Sequence, residues 1–455
     1  MSQLLRTYCD FVGVSAGDPG GRAPVHGVVP LRRNRDFQLL WGGQAVSLLG
    51  SQASRIAYPL LVLALTGSPA KAGAAGFAAL LGYLLFPLPA GALAGRHDRK
   101  RIMIACDAVR LAAVGSITVA GWMFRITYAQ VLVAAFFEGA ATVFFTLAQR
   151  AALPMLVHPS QRSVAIGQNE ARQNAAQLAG PALGGALFGL SRAAPFAADA
   201  LSYVASLVTL PFVKAPTQAV PRAGAPGPAG VPGSRAGPGR LRAELRDGLA
   251  WTWRQPFLRY GACFSASVNV LWQVLTLGLI VLARQDGAAP GQIGVIVGCL
   301  GGGGLAGSFA APWFQRRVPV GLTITGCLWL WTLLLAVIVL VRVPLWLCPA
   351  VAVFGFAGPL WNVSVQTYRM RITPNELLGR TSSVSVQIGW GVTPLGSLLA
   401  GFLLQELSPS AALAVAATGM AVTAAAATAV AAVRLAGRPR PDQPISAANA
   451  ARSSR

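Results

Sequence analysis

Charged residues are scarce in this chain, and acidic residues are the scarcest. Asp, Glu, Lys and Arg make up 11% of the 455 residues, with 14 acidic side chains against 37 basic ones, whereas 54% of the residues are hydrophobic. Soluble domains carry about 25% charged residues, so this composition excludes a water-soluble protein and predicts one that lies in a lipid bilayer. The basic excess does not indicate nucleic-acid binding, because the arginines stand in short segments beside apolar stretches and no nucleic-acid-reading module is visible.

Histidine and cysteine are too few and too scattered for a metal or redox site. The six cysteines show no CxxC or other ligand spacing, and the three histidines lie in different loops. The chain also lacks HExxH, a nucleophile elbow and a phosphate-binding loop of the G-x-x-x-x-G-K-[ST] type. We therefore predict no metal, no cofactor, no enzymatic activity and no ATP-driven pump.

Long apolar stretches are what the chain has instead. Twelve of them are long enough to cross a bilayer, which takes about 20 residues in an α-helix. We number them spans 1 to 12, in order 38–66, 70–94, 102–124, 128–150, 164–190, 194–213, 257–284, 290–314, 319–342, 344–368, 382–405 and 409–434. This pattern predicts an all-α membrane protein with twelve transmembrane helices in two six-helix bundles.

Basic residues mark alternate connectors between the spans. One set of connectors carries clusters, such as Arg99 with Lys100 and Arg316 with Arg317, whereas the other set carries single basic residues. Positively charged loops remain in the cytoplasm when a membrane protein inserts. Both termini and the segment between spans 6 and 7 are therefore predicted to be cytoplasmic.

The segment between spans 6 and 7 has two parts. Residues 215–240 are Pro, Gly, Ala and Arg in no periodic order, which is typical of a flexible linker. Apolar residues then recur at every fourth position, at Leu241, Leu245, Leu249 and Trp253, which predicts an amphipathic helix over 241–253 on the membrane surface. The predicted organisation is a disordered cytoplasmic tail (1–35), an N-terminal bundle (36–213), this cytoplasmic linker (214–256), a C-terminal bundle (257–434) and a cytoplasmic tail (435–455).

The two halves of the chain read as copies of each other. Leu93-Ala94-Gly95 recurs as Leu305-Ala306-Gly307, 212 residues later, and Pro181 recurs as Pro394, 213 residues later. A nearly constant offset predicts a duplicated six-helix unit, so the two bundles are expected to be pseudo-symmetric. Parallel repeats of this kind occur in transporters that bind substrate between the halves, near the membrane midplane.

The connector between spans 2 and 3 carries a motif. It reads GALAGRHDRK over 91–100 and resembles the G-x-L-A-D-R-x-G-R-K signature of the major facilitator superfamily (MFS). The resemblance implies a loop whose glycine lets helices approach and whose basic residues pair with acidic groups at helix ends. The family's Asp is Gly95 here and its Gly is Asp98, so this charge pairing is expected to be weakened, or rewired through Asp107. The residues that carry the motif are Gly91, Arg96, Asp98, Arg99 and Lys100.

Span 5 carries a second motif. The run AQLAGPALGG over 176–185 resembles the G-x-x-x-G-P-x-x-G-G motif of MFS antiporters, with only the first glycine replaced, by Ala176. The resemblance implies an exchange mechanism that depends on Gly180, Pro181, Gly184 and Gly185. Generic close packing of small residues between helices is the alternative.

Four further stretches resemble one MFS branch, which contains enterobactin-type siderophore exporters and macrolide-efflux proteins. They are residues 107–110 (DAVR), 199–203 (DALSY), 244–258 and 375–383. The resemblance covers roughly residues 32–410. It implies a multi-pass protein of a bacterial cell membrane.

Few charges lie inside the spans, and an intramembrane charge predicts a functional site. Glu138 lies near the middle of span 4, Arg55 somewhat beyond the middle of span 1, and Asp107 and Arg110 nearer the cytoplasmic end of span 3. These four are the candidates for proton coupling, with Glu138 first; structural pairing between helices is the alternative for the two in span 3. Many MFS proton antiporters carry R-x-x-Q-G in span 4, where this chain has AFFEG at 135–139 and lacks the arginine.

Spans 7 and 10 carry polar and aromatic residues that could line a substrate cavity. Hydrogen bonding and aromatic packing between helices is an equal alternative for them. These residues are Asn269, Trp272, Gln273, Trp361, Asn362 and Gln366.

The spans, the repeat and the resemblance together predict a secondary active transporter. The predicted activity is proton-coupled export of a small amphipathic compound, such as a drug, an antibiotic or a siderophore, by alternating access. An importer or a lysolipid translocator of the same fold is the alternative, whereas a receptor or a membrane enzyme would need a soluble domain or a catalytic cluster. The predicted partners are the small-molecule substrate, protons and the lipid bilayer, without nucleic acid, and the protein is expected to be a monomer.

Overall fold

The regular structure is helical. The computed structural model describes residues 30–213, 246, 249–340, 347–373, 381, 384–385, 387–430 and 433. Within these residues there are no β-strands, and a short helical stretch at 249–254 precedes the second half. Twelve helices follow the order of the predicted spans: α1 Arg35–Thr66, α2 Pro69–Leu85 continued by Pro87–Arg96, α3 Arg99–Trp122, α4 Tyr128–Leu156, α5 Arg162–Leu190, α6 Ala194–Thr209, α7 Pro256–Gln285, α8 Pro290–Arg317, α9 Val320–Leu340, α10 Leu347–Ile372, α11 Thr393–Glu406 and α12 Pro409–Ala429.

Not all twelve helices are equally suited to a bilayer. Among the described residues, ten helices are long and apolar enough to cross a membrane, and the two segments of α2, which meet at 56°, make an eleventh if they form one bent span. The twelfth helix, α5, was predicted as span 5 but is not apolar enough to meet this criterion. The reason is its first half, which carries Glu170, Arg172, Gln173 and Asn174. A polar half of this kind can lie at membrane depth only where it faces protein or water.

Each half packs its six helices in the same way. In the N-terminal half, α1 packs against α5 and α6, α3 against α4 and α6, and α2 against α4. Adding six to every number gives the pairs of the C-terminal half: α7 with α11 and α12, α9 with α10 and α12, and α8 with α10. The predicted pseudo-symmetry of the two bundles is therefore confirmed.

Successive helices alternate in direction, so their connectors fall on two faces. The basic face carries the connectors around Asp98, Pro159 and Val318, and the opposite face carries those around Gly67 and Gly287. The basic face is the one that the sequence predicts to be cytoplasmic.

The two halves are joined near the opposite face. There α2 packs against α11 and α5 against α8, two pairs related by the same shift of six helices. Ser397 donates a hydrogen bond to the carbonyl of Gly73 (3.1 Å), and a Cβ added at Gly185 would lie 2.9 Å from the Cα of Gly294. Glycine is required at these positions because the helix backbones nearly touch. We call these two contacts the joint.

Toward the basic face the helices pack within their own halves. The second segment of α2 packs on α4, and Gly303 and Gly307 of α8 face Ala352 and Phe356 of α10. The contacts between the halves run from the joint to the middle of these helices, where Gln387 donates to the carbonyl of Leu84 (3.3 Å) and a Cβ at Gly301 of α8 would overlap Gln177 of α5.

The segments that flank the bundles are partly described. The predicted tail runs through residue 35, but its described end is packed: Leu31 is buried, and Asn34 donates from its side chain to the carbonyl of Leu156 (2.8 Å). Leu249 and Trp253 of the predicted amphipathic stripe are exposed in the helical stretch 249–254. The other stripe positions, most of the linker and the tail 435–455 lie outside the described residues.

Candidate functional site

Glu138 lies at the centre of a buried polar cluster in the N-terminal half. Helix α4 places its carboxyl against α1 and α6, where Tyr58 donates to Oε2 (2.5 Å) and Tyr203 donates to Oε1 (3.3 Å). Glu138 is only 7% exposed, and the Tyr58 ring is held by an edge-to-face contact with Phe196. Glu138, the first candidate for proton coupling, is therefore buried inside the N-terminal bundle and bound to Tyr58.

Asp107 and Arg110 form a buried ion pair one turn apart on α3. Nη2 of Arg110 donates to Oδ1 of Asp107 (2.5 Å), and Ser206 of α6 donates to the other carboxylate oxygen (2.6 Å). Gln44 of α1 donates in turn to Ser206 (3.0 Å). The guanidinium also lies over the ring of Tyr203, 4.8 Å from its centroid. The pair thus ties α3 to α1 and α6, and it adjoins the Glu138 cluster through a shared tyrosine.

Asp199 of α6 is the acid that the sequence did not place in this site. It is fully buried, and its Oδ1 accepts a hydrogen bond from Ser202 (3.2 Å) and lies 3.5 Å from Oγ of Ser51. Ser51 also shares a hydrogen bond with the hydroxyl of Tyr203 (2.9 Å). The signal was present in the 199–203 stretch, because an acid and a tyrosine one turn apart share a helix face. Only the packing of α1 and α4 against that face shows what they contact.

Arg55, the remaining proton-coupling candidate, lies outside the cluster. Its side chain is exposed and donates to Gln52 of the same helix (2.9 Å), and within the described residues it forms no ion pair with Glu138. On α1, Gly50 faces α6 and Ala53 faces α5, so Arg55 lies on the remaining side of the helix. A guanidinium exposed at mid-helix needs water around it, which indicates the space between the halves.

Arg99 and Lys100, two cations of the motif between α2 and α3, bind backbone carbonyls. The buried Arg99 donates to the carbonyl of Ala151 near the end of α4 (3.0 Å), and Lys100 donates to the carbonyl of Pro211 just after α6 (2.7 Å). Carbonyls at helix C-termini lack intrahelical partners and attract cations. The predicted rewiring through Asp107 is therefore wrong, since Asp107 binds Arg110 and the loop is held by backbone oxygens.

The two unusual positions of this connector also have local explanations. Asp98 is the N-cap of α3, where it accepts from the backbone N–H of Lys100 (2.9 Å) and lies 3.9 Å from Arg101. An N-cap aspartate satisfies an unpaired N–H and favours the positive end of the helix dipole. A Cβ at Gly91 would have no atom within 4 Å, so no close approach requires that glycine in this state. The side chain of Arg96 lies outside the described residues.

The small residues of α5 face two different neighbours. A Cβ added at Gly180 or Gly184 would overlap α1 of the same half, whereas one at Gly185 would overlap α8 of the other half beside Gly294. Pro181 lies inside the helix between these positions. The motif therefore contributes both to the N-terminal bundle and to the joint.

The polar residues of α7 face their own half. A Cβ at Gly396 of α11 would lie 3.3 Å from Gln273, and one at Gly389 would lie 3.8 Å from the side-chain amide of Asn269. Asn269 also donates to the carbonyl of Ser265 (2.9 Å). Gln273 therefore packs against α11, whereas the hydrogen bond of Asn269 stays within α7.

The candidates of α10 divide into two groups. Trp361 is buried against Trp331, and Trp272 of α7 packs on Phe354, so both tryptophans belong to the core. Asn362 and Gln366 are exposed. Gln366 accepts a hydrogen bond from Arg369 of the same helix (3.3 Å), and Asn362 and Gln366 both remain candidates for the substrate cavity.

The arrangement of helices and motifs agrees with one transporter family. The family model of the Major Facilitator Superfamily matches residues 40–394. The chain belongs to the major facilitator superfamily. MFS proteins are transporters and not a class of enzymes. Among the described residues, no group of three or more His, Cys, Asp or Glu could hold a metal ion.

Named relatives of this MFS protein are efflux proteins. The protein named multidrug efflux pump Tap of Mycobacterium tuberculosis (strain ATCC 25618 / H37Rv) is 27% identical over 387 residues, which cover 81% of this chain and 88% of the relative. Macrolide efflux protein A of Streptococcus pyogenes is 30% identical over 181 residues, 40% of this chain and 45% of the relative. The crystal structure of the nucleoside transporter NupG shares the fold, with a TM-score of 0.67 at 14% identity over 87% of this chain and 98% of that one. The predicted family and its macrolide-efflux branch are thereby confirmed.

Proposed function

We propose that this MFS protein is a proton-coupled exporter of small amphipathic compounds that works by alternating access. The observation that carries the proposal is the joint: the halves are held together near the opposite face, whereas the described helix segments nearer the basic face pack mainly within their own halves. Alternating access requires a substrate path that is open to one side of the membrane at a time. A joint made of glycine contacts suits this requirement, because it can part without breaking ion pairs.

The direction of opening follows from the orientation in the membrane. Clusters of basic residues on the basic face, such as Arg316 with Arg317, support a cytoplasmic location for it and for both termini. In that orientation the joint closes the opposite side, which is what we expect of the state that receives cargo from the cytoplasm for export. The bundles 36–213 and 257–434 would then rock against each other as units. Reporter fusions at Leu241 and Arg125 test the orientation, because they should report opposite sides of the membrane.

Glu138 is the proposed coupling acid. When ionised it accepts the two phenol hydrogen bonds, and when protonated it is neutral and tolerates closure of the bundle around it. A charged carboxyl is costly at the bilayer midplane, so its proton is released most readily when water reaches the cluster. Tyr58 lies on α1. The same helix packs Ala53 against α5 and carries the exposed Arg55 on another side. Movement of α1 therefore changes the hydrogen bonds of the acid.

The proposed cargo is a drug-like molecule with apolar surface and a few polar groups. The names of the relatives, for multidrug and macrolide efflux, support this class. Exposed Arg55, Asn362, Gln366 and the polar half of α5 supply scattered polar contacts, which is the usual composition of a small-molecule site. Siderophore export, import and lysolipid translocation are the alternatives.

Purified protein in liposomes tests the activity directly. Radiolabelled erythromycin, tetracycline and ethidium should each be offered with and without an imposed pH gradient. We expect the gradient to raise accumulation of at least one compound tenfold or more, and Glu138→Gln to keep gradient-free counterflow while losing that stimulation. Glu406→Gln, an exposed carboxyl at the end of α11, is the matched control. Equal flux with and without the pH gradient would refute proton coupling. The absence of flux for all three compounds would refute drug export.

A further inference from the structure

We propose that Asp199 is a second proton-binding carboxyl of the transport cycle, connected to Glu138 through the hydroxyls of Ser51 and Tyr203. This inference rests on the proposed function and adds a residue from α6 to its machinery. It is carried by the burial of Asp199, by the charges around it and by a continuous line of hydroxyl groups.

The surroundings of Asp199 suit a neutral carboxyl and not a carboxylate. The residue is 0% exposed, and Oδ2 is buried without a hydrogen-bond partner among the described residues. Oδ1 lies beside the hydroxyls of Ser202 and Ser51, and the hydroxyl of Ser54 also interacts with this carboxyl, so the nearest partners are neutral hydroxyls and not a cation. A buried carboxylate is stable only with a cation or several donors, whereas a protonated one leaves no charge to compensate. A proton on this side chain therefore removes the uncompensated negative charge.

The charges of neighbouring helices lead to the same conclusion. The cluster buries three carboxyls, Asp107, Glu138 and Asp199, with one guanidinium, Arg110. Arg110 is bound directly to Asp107, so it balances that charge and leaves the other two acids without a cation of their own. Two protons make the cluster neutral.

The other helices packed around Asp199 supply no cation that contacts it within the described residues. Helix α5 presents no charged side chain to the cluster within the described residues, since Arg162, Glu170 and Arg172 lie in its basic-face half. Arg55 is exposed on another side of α1 and bound to Gln52. The titratable and charged groups of the cluster that holds Asp199 are Tyr58 from α1, Cys106, Asp107 and Arg110 from α3, Glu138 from α4 and Tyr203 from α6 itself. Arg55 interacts electrostatically with Glu138.

The hydroxyls between the two acids form a path for a proton. Oδ1 of Asp199 lies 3.5 Å from Oγ of Ser51, which lies 2.9 Å from the Tyr203 hydroxyl, which lies 3.3 Å from Oε1 of Glu138. The carboxyl of Asp199 can give its proton to Ser51 while Ser51 gives its own to Tyr203 and Tyr203 gives its own to Glu138. Each hydroxyl forms one O–H bond and breaks one, so the net change is the transfer of one proton from Asp199 to Glu138. The path joins α6 to α4 across α1.

A spectroscopic experiment tests the proton on Asp199 without any substrate. Infrared difference spectra of the purified, reconstituted full-length protein between high and low pH detect the C=O stretch of each carboxyl that takes up a proton. We expect Asp199→Asn to remove one buried-carboxyl band and Glu138→Gln to remove another, while Glu406→Gln leaves both buried bands. A wild-type spectrum that Asp199→Asn leaves unchanged would overturn the proposal.

A transport experiment separates proton binding from a structural role. With radiolabelled erythromycin in liposomes, Asp199→Asn should keep counterflow within about twofold of wild type and lose at least tenfold in gradient-driven flux. Because Ser51 lies beside Asp199, the double variant S51D/D199N returns a carboxyl to the same place and should restore gradient-driven flux. Full gradient-driven flux in Asp199→Asn, or no recovery in a double variant that retains counterflow, would overturn the proposal. The absence of gradient-driven flux in the wild-type protein would refute the proposed function instead. The infrared experiment would still test the proton on Asp199, because it needs no transport.

Discussion

A single methyl group at Gly185 should shift the protein away from the state described here. In this state an added Cβ would overlap the carbonyl oxygen of Pro290 and lie 2.9 Å from the Cα of Gly294, both on α8 of the other half. These atoms belong to helix backbone and cannot rotate away. The clash exists only while the joint is closed, so Gly185→Ala should favour the alternative state in which α5 and α8 part at the opposite face.

The size of this shift follows from the cost of overpacking. Forcing an extra methyl into a close-packed contact costs about 1–3 kcal/mol. Because the cost falls on one state alone, it changes the ratio of the two states by about 5- to 150-fold. A protein that populates this state at about 99:1 would move only to about 95:5 at the lower end of this range and to about 40:60 at the upper end.

Distances across the opposite face report the shift. Lys71 on α2 and Glu406 at the end of α11 are both exposed there, so spin labels in K71C/E406C, with the six native cysteines replaced, measure opening by pulsed electron resonance. Gly185→Ala should move population to longer distances. Gly184→Ala is the matched control, since its methyl would meet Ala53 and Ile56 of α1 within the same half.

Gly184 and Gly185 are expected to respond differently, because they face different halves. Gly184→Ala should lower thermal stability and leave the distance distribution as in wild type. If Gly185→Ala also lowers stability without lengthening the distance, the α5–α8 contact does not select the state. Gly189→Ala, where a Cβ would meet no atom within 4 Å, should change neither quantity.

Three other variants test contacts of the N-terminal half. Gly184→Leu should abolish erythromycin flux while membrane insertion, followed by surface biotinylation, stays intact, and unchanged flux would show that the α5 motif has no mechanistic role. Arg99→Gln should lower the free energy of unfolding by about 1–3 kcal/mol, since buried carbonyls lose their donor, whereas exposed Arg101→Gln should stay within about 0.5 kcal/mol by thermal-shift measurement. Asp107→Asn should cost about 3–5 kcal/mol because it leaves Arg110 buried without its partner, and the double variant D107N/R110M should recover most of that loss; an equal loss in both would argue against the ion pair.

Much of the architecture could be read from the sequence because it depends on local patterns. A span is recognised by its length and apolarity, and a connector by its arginines, so helix order and pseudo-symmetry were predictable. The α5 helix is the exception, because its polar first half lowers the apolarity by which a span is recognised. The fold nevertheless packs this helix against other helices. The loop motif at 91–100 and the glycines of α5 were likewise visible, because they are short runs of residues contiguous in the chain.

The partners of these residues depend on tertiary packing. Glu138 and Arg55 have similar depth in their helices, but only the rotation of α1 and α4 about their axes decides that Tyr58 contacts Glu138 and Arg55 does not. The same rotation turns Asn269 toward α11 and leaves Asn362 exposed. Successive side chains on a helix point about 100° apart. If the side of the helix that faces the bundle is assigned wrongly by one residue, an exposed residue is mistaken for a buried one.

The sequence by itself determined that this protein is a polytopic helical transporter of the MFS, since apolar length and contiguous motifs are properties of one chain segment at a time. Only the tertiary structure connected Asp199 and Tyr203 of α6 with Ser51 of α1 and Glu138 of α4, two helices that lie far away in the chain. It also divided the α5 glycines between α1 and α8. The physical reason is that contacts between helices are fixed by close packing of complementary surfaces, which no single helix encodes alone.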